Sequence, residues 1–538
     1  MKRRNFIQLT ALGTAVPLVT MQACATDKGG SKEKKPAGKE FALEEKTVAE
    51  LQQAMTDGKY TSRTLCEMYL QRIEEIDKVE GGLNAVIERN PDALALADAL
   101  DKERQEGKVR GPLHGIPVMV KDNIDTADKM MTTAGSLALA GNIAGEDAFI
   151  IKQLRQAGAV LLGKTNLSEW ANFRSTRSSS GWSGRGRQTR NPYALDRSPC
   201  GSSSGSGAAV SANLCAITIG TETNGSIVCP ASANGIVGIK PTVGLWGRSG
   251  IIPISATQDT AGPMARTVAD AVALLGPLTG TDPGDERTKE SEGKRYADYT
   301  QFLDKEGLQG KRIGVLRSTF GFHEKVDRIM AQALATMAQA GATVIDPVEI
   351  KTINEFGDAG YQVLLYEFKD GVNNYLASAN ANVNSLAEVI AFNKANRDES
   401  MPYFAQEILE EAQAKGDLNE KEYTGALKKV LLLSRQKGID ATLKAHNLDA
   451  IVAPTGGPAW CIDLINGDHY GGGSSSLAAR AGYPNITVPA GYVAGLPVGV
   501  SMFSGAWQEP KLIAMAYAFE QAANVRVAPT LPSALNLP

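Results

Sequence analysis

A chain of 538 residues with 43% hydrophobic residues and a formal charge of −3 can build one large enzyme domain or several smaller ones, and it has no basic surplus for a polyanion. Nucleic acid is therefore not an expected partner. Six cysteines at irregular spacing and four histidines, with no CxxC and no HExxH, give neither a disulfide framework nor a metal site, so no metal or cofactor is expected.

Residues 1–23 read as an export signal. Lys2-Arg3-Arg4-Asn5-Phe6-Ile7 has the twin-arginine pattern, and an uncharged apolar run follows to Ala23. Met21-Gln22-Ala23 approximates a lipobox, which makes Cys24 the expected lipidated first residue of the mature chain; plain cleavage nearby is the alternative. Residues 24–40 are polar, charged and without apolar periodicity, and read as a flexible tether. The expected location is exported, periplasmic or cell-envelope, with membrane attachment through Cys24.

The folded part is expected to span 41–538. Helical periodicity covers 41–54, 62–76 with Ser62 as N-cap, and 91–103. A turn at 111–116 feeds a short apolar strand, 117–120, that ends at Lys121. A helix at 150–157 and a buried strand at 159–163 come next. Residues 164–173 are a loop and helix start, and the polar stretch 175–198 reads as a long surface loop. Further on, 312–316, 325–340 and 342–345 form a βαβ unit. Residues 352–437 are mostly helical and read as an insertion. Strands at 235–240, 450–453, 485–489 and 498–503, with helices at 267–279 and 511–523, complete an α/β fold: one large domain with a mixed sheet covered by helices on both faces.

The stretch 200–226, CGSSSGSGAAVSANLCAITIGTETNGS, carries the chemistry. Two serine-rich turns flank a small-residue helix at 208–214 and a buried strand at 215–220. A short helix out and a strand back cover comparable lengths, so Ser202 returns close to Ser226. Two hydroxyls on glycine-rich backbone suggest a nucleophile, a relay and amide donors for an anion. The GK[ST] ending of a phosphate-binding loop is missing. Taken singly, Ser202 could be a linker serine and Ser226 a helix cap. Lys121, at a strand end with an apolar stem, could be a surface charge, or a base whose pKa is lowered by burial. No histidine stands out as a partner, and His114 reads as packed. A Ser–Ser–Lys arrangement is thus attractive. Cys215 and Cys229 read as core residues, and a Cys200–Cys229 bridge is conceivable.

Three blocks, GIPVMVKDNID (115–125), CGSSSGSGAA (200–209) and GTETNGSIVCP (220–230), extended by GIVGIKPTVG (235–244) and DTAGPMAR (259–266), resemble the signature of the amidase signature family over roughly residues 43–530. SEWANFRS (168–175) and CGSSSGSGAAV look most like the bacterial peptide amidases, which remove the C-terminal amide of peptides. The resemblance implies Ser226 as nucleophile, Ser202 as a relay held in a cis peptide, and Lys121 as base, working through an acyl-enzyme. It implies an oxyanion hole from the backbone of Thr223, Asn224, Gly225 and Ser226. Asn172 and Trp170 are expected to line the substrate pocket or to pack beside it, and 471–476 (GGGSSS) to be a loop at its mouth. Cys200 and Ser204 replace glycines of the usual glycine-serine run. Asn224 stands where peptide amidases tend to have Asp, which bears on specificity.

The expected function is hydrolysis of a carboxylic or peptide C-terminal amide, releasing ammonia or an amine, with no obligate protein partner. One alternative is the glutaminase subunit of a tRNA-dependent amidotransferase, which shares the three blocks but works in the cytoplasm. The other is a non-catalytic binding lipoprotein on the same fold.

Overall fold

The computed structural model describes residues 41–535. Residues from Glu45 onward form one compact unit, and 41–44 belong to a separate short N-terminal one. The twin-arginine segment, Cys24 and the tether lie outside the described residues.

The unit is an α/β domain built on one mixed eleven-stranded sheet. In chain order the strands are β1 (Val86–Arg89), β2 (Pro117–Lys121), β3 (Val160–Thr165), a two-stranded ribbon of β4 (Trp182–Ser183) and β5 (Arg187–Gln188), β6 (Ile217–Glu222), β7 (Val237–Lys240), β8 (Thr260–Ala265), β9 (Arg312–Leu316), β10 (Thr343–Val348), β11 (Ala450–Pro454), β12 (Asn485–Val493) and β13 (Leu496–Phe503). The sheet order is β1-β3-β2-β6-β8-β7-β12-β13-β11-β9-β10. Parallel pairing joins β3, β2 and β6 at one side and β11, β9 and β10 at the other; the strands between are antiparallel. β2 is apolar up to its terminal lysine because it lies between two parallel neighbours and is buried throughout.

Several elements differ from the sequence expectations. The helix Ser62–Ile76 is capped by Thr61, in a capping box with Thr64, rather than by Ser62. Ser62 Oγ instead donates to Gly115 O at 2.9 Å, tying this helix to the turn before β2. The stretch 175–198 is not a surface loop: it contains the ribbon, and Trp182, Ser183, Thr189 and Asn191 are buried. Its polar side chains bond inward, as where Ser183 Oγ donates to Asn166 Oδ1 at 2.7 Å. β1 and β8 are additional strands.

Helices Gly357–Leu376, Leu386–Ala395, Glu407–Gln413 and Lys421–Leu431 follow β10. Leu364, Phe368 and Leu376 from the first of them share a buried cluster with Trp170 and Phe173, next to the site described below.

Candidate active site

The helix Ser204–Ser211 starts directly after Ser203, and β6 brings the chain back. All eight helix residues are small and buried, which lets the helix lie close against the sheet. The return closes as expected: Ser203 N–H donates to Ser226 O at 3.1 Å. A Cys200–Cys229 disulfide joins the same two segments, with Cα atoms 6.0 Å apart. The peptide between Gly201 and Ser202 is cis.

Lys121, at the end of β2, is fully buried. Its Nζ lies 2.8 Å from Ser202 Oγ, 3.1 Å from Ser203 Oγ, 2.8 Å from Thr221 Oγ1 and 3.3 Å from Thr221 O. Burial pulls its pKa down from the usual lysine value to about 7, against the opposing pull of Asp259 and Glu222. Near neutral pH a large fraction is therefore the free amine, whose lone pair needs a donor. Ser203 spends its proton on Thr221 O at 3.0 Å, whereas Ser202 Oγ has no acceptor other than the amine among the described residues. The geometry thus couples the Ser202 hydroxyl to a lysine able to take its proton.

Ser226 lies in the turn after β6, 7% exposed and so open at its edge. The N–H groups of Thr223, Asn224, Gly225 and Ser226 meet no protein acceptor among the described residues, while Ile227 and Val228 N–H are taken by Glu222 Oε2 at 2.8 and 3.1 Å. Gly225 has φ +85°, and a Cβ there would come within 2.9 Å of Ser475 Oγ, so the turn requires glycine. Unpaired donors beside a partly exposed hydroxyl can hold an oxyanion.

Asn224 is fixed by the start of the helix Ser475–Ala481: its Oδ1 accepts from Ser475 Oγ at 2.8 Å, and its Nδ2 donates to Ser476 Oγ at 3.1 Å. The GGGSSS segment thus leads into a helix and touches the turn that carries Ser226. A cavity of about 510 Å3 opens here, its walls including Asn172, Gly201, Asn224, Gly225, Trp460 and Tyr470. Asn172 is on its wall. Trp170 is not: it is 1% exposed and packs edge-on against Phe368 in the core. Trp170, Ala171 and Asn172 all have positive φ, a left-handed turn pinned by the buried Arg174–Glu169 ion pair at 2.7 Å. Thr221, Ser203 and Asn123, whose Nδ2 donates to Thr221 Oγ1 at 3.1 Å, complete the lysine's surroundings and do not stand out in the sequence. The one available signal is that Thr221, like Lys121, sits near the end of a buried strand. His114 is packed, with Nε2 2.9 Å from Leu100 O. Among the described residues there is no cluster able to hold a metal ion.

The sequence profile of the Amidase family matches residues 64–513. A probable amidase of Arabidopsis thaliana is 44% identical, covering 91% of this chain and 92% of its own length. The native peptide amidase of Stenotrophomonas maltophilia superposes with a TM-score of 0.88 at 51% identity, covering 91% of this chain and 99% of that one. A glutamyl-tRNA(Gln) amidotransferase subunit of Caldanaerobacter subterraneus subsp. tengcongensis is 31% identical over 88% of this chain and 96% of its own. The chain belongs to the amidase signature family and is a hydrolase acting on amide C–N bonds.

Proposed function

We propose that this chain is an exported amidase that hydrolyses the C-terminal amide of a peptide, or a related carboxylic amide, through Ser226, Ser202 and Lys121. The observation that carries the reading is the 2.8 Å contact between the buried Lys121 Nζ and Ser202 Oγ, at a lysine whose pKa lies near neutrality. Ser226 Oγ attacks the carbonyl carbon and gives its proton to Ser202, which passes its own to the neutral amine. The N–H groups of Thr223, Asn224, Gly225 and Ser226 receive the oxyanion; one such donor typically contributes on the order of a hundred- to a thousandfold in rate. The proton then goes to the leaving nitrogen, and water hydrolyses the acyl-enzyme by the same route in reverse.

Ser226→Ala tests the nucleophile: ammonia release should vanish with the fold retained by circular dichroism, and persistent turnover would remove Ser226 from the role. A panel of free amino-acid amides, amidated peptides, fatty amides and aryl amides tests the substrate class. Amidated peptides are expected to give the highest kcat/KM, in keeping with the 51% identity to a peptide amidase. The 31% identity to an amidotransferase component favours a glutaminase less. Export through residues 1–23 and lipidation of Cys24 complete the proposal, supported by a disulfide that suits an oxidising compartment. Fractionation should find the wild type with membranes and Cys24→Ala soluble in the cell envelope; a cytoplasmic wild type would overturn it.

A further inference from the structure

The cavity beside the Ser226 turn has a single charged group on its walls. Of the described residues that line it, Asp468 alone carries a carboxylate, and no lysine, arginine or histidine is among them. Asn224 contributes an amide and adds no charge. Asp468 is half-buried, and its loss of water pushes its carboxyl above the ordinary aspartate value, against the hydrogen bonds from Ser180 and Trp460 that pull it down.

The protein meets this carboxylate with neutral donors. Ser180 N–H is shared between Oδ1 at 3.1 Å and Oδ2 at 3.0 Å, and Trp460 Nε1 donates to Oδ1 at 2.9 Å. A carboxylate has about four lone-pair sites, so Oδ2, with only a share of one N–H, has room for a further donor. Two buried carboxylates of the same domain have cationic partners: Glu169 pairs with Arg174 at 2.7 Å and Asp285 with Arg248 at 2.6 Å. Asp468 has no lysine or arginine partner among the described residues; His469, next in the chain and exposed, adds only the weakest of the charges that act on it. Aromatic rings stand beside it. Trp460 and Tyr470 meet edge-on with centroids 5.7 Å apart, and both line the cavity. A carboxylate next to such rings suits a cation, drawn by the charge and by the ring quadrupoles. The spot is close to the reacting groups, because Ser180 Oγ would lie 3.3 Å from a Cβ on Gly201, which precedes Ser202.

We propose that Asp468, with Trp460 and Tyr470, forms a subsite for a cationic side chain on the residue that carries the amide, so that peptides ending in amidated arginine or lysine are preferred. The inference rests on the peptide-amide reading above and deepens it. An incoming guanidinium or ammonium supplies the partner that the carboxylate lacks and offsets part of the cost of its burial. Arginine fits best, since its planar fork can donate to the carboxylate while its face lies on a ring. An acidic side chain meets the same carboxylate as a like charge and is rejected. The contact is equally present before and during bond cleavage, so it acts on KM more than on kcat.

The test uses the full chain and two peptides, N-acetyl-alanyl-arginine amide and N-acetyl-alanyl-citrulline amide, which share a shape and differ in charge. The wild type should show kcat/KM roughly tenfold higher for the arginine peptide, mainly through KM. Added salt should shrink that ratio, because the carboxylate is only half-buried. Asp468→Asn retains an acceptor oxygen for Ser180 N–H and Trp460 Nε1 but removes the charge, and should bring the ratio to about one. If Asp468 only held the wall in place, the variant would lose both activities alike and keep the wild-type ratio, which would overturn the assignment. A wild-type ratio near unity would overturn it as well, and that measurement stands even if the variant fails to fold. A wild type inactive on both peptides would bring down the peptide-amide reading, whereas one active on both without preference sinks only the subsite.

Discussion

Lys121 concentrates the chemistry of the site in one atom. A charged ammonium in a fully buried position is costly, and the hydroxyls around it offset that cost only in part, so its pKa falls to about 7. The sign of the pH dependence follows. In the proposed mechanism Lys121 works as the free amine, so kcat/KM should rise with pH and reach half its plateau near pH 7. A profile flat from pH 5.5 to 8.5 would exclude Lys121 as the base. Lys121→Ala should cost at least about a hundredfold in kcat. Lys121→Arg should not restore it, because a guanidinium stays charged at any working pH. Lys121, Ser202 and Ser226 are legible in the sequence because each sits in a distinctive block. Thr221 and Ser203 are not, since hydroxyl side chains are common and only the fold places these two against the amine.

The controlling element is the out-and-back path of the helix Ser204–Ser211 and β6, fastened at its ends by the Cys200–Cys229 disulfide. The bridge spans 29 residues of sequence, and a loop of that size contributes on the order of 3 kcal/mol by restricting the unfolded chain. Cys229→Ser should therefore lower the thermal midpoint by several degrees, an effect that reducing agent reproduces in the wild type and not in the variant. Gly201 provides a second test. A Cβ there would collide with Ser168 Oγ, so Gly201→Ala should displace Ser202 and reduce kcat well beyond the roughly 1–3 kcal/mol lost in stability by overpacking. The helix begins earlier than its composition suggests, because serine and glycine are weak helix formers in isolation. Packing of small side chains against the sheet overrides that preference.

Across the whole molecule, the helices that follow β10 are tied to the site by buried polar contacts as well as by apolar packing. Arg174, paired with Glu169, also donates to Phe404 O at 3.0 Å and Ala405 O at 3.1 Å. Arg174→Met leaves the Glu169 carboxylate buried without its partner and should cost about 3–5 kcal/mol in chemical unfolding. Because the same pair pins the left-handed turn at 170–172, kcat/KM should fall along with stability. Tyr375 makes a similar connection, donating to Asp125 Oδ1 at 2.8 Å, a little beyond the lysine in the chain.

The sequence by itself determined the α/β class, most strands of the sheet and the helical character of 352–437, and it supplied the three residues on which the proposed triad rests. Apolar runs and signature blocks are local properties, legible without neighbours. Tertiary structure decided what depends on partners distant along the chain. β8 holds alanine, glycine and proline and becomes a strand only because β6 and β7 pair with it on either side. The polar stretch 175–198 is buried because its side chains find hydrogen-bonding partners inside the fold. Trp170 belongs to the core and Asn172 to the cavity wall, although they are close neighbours in the chain, because a left-handed turn sends them in different directions.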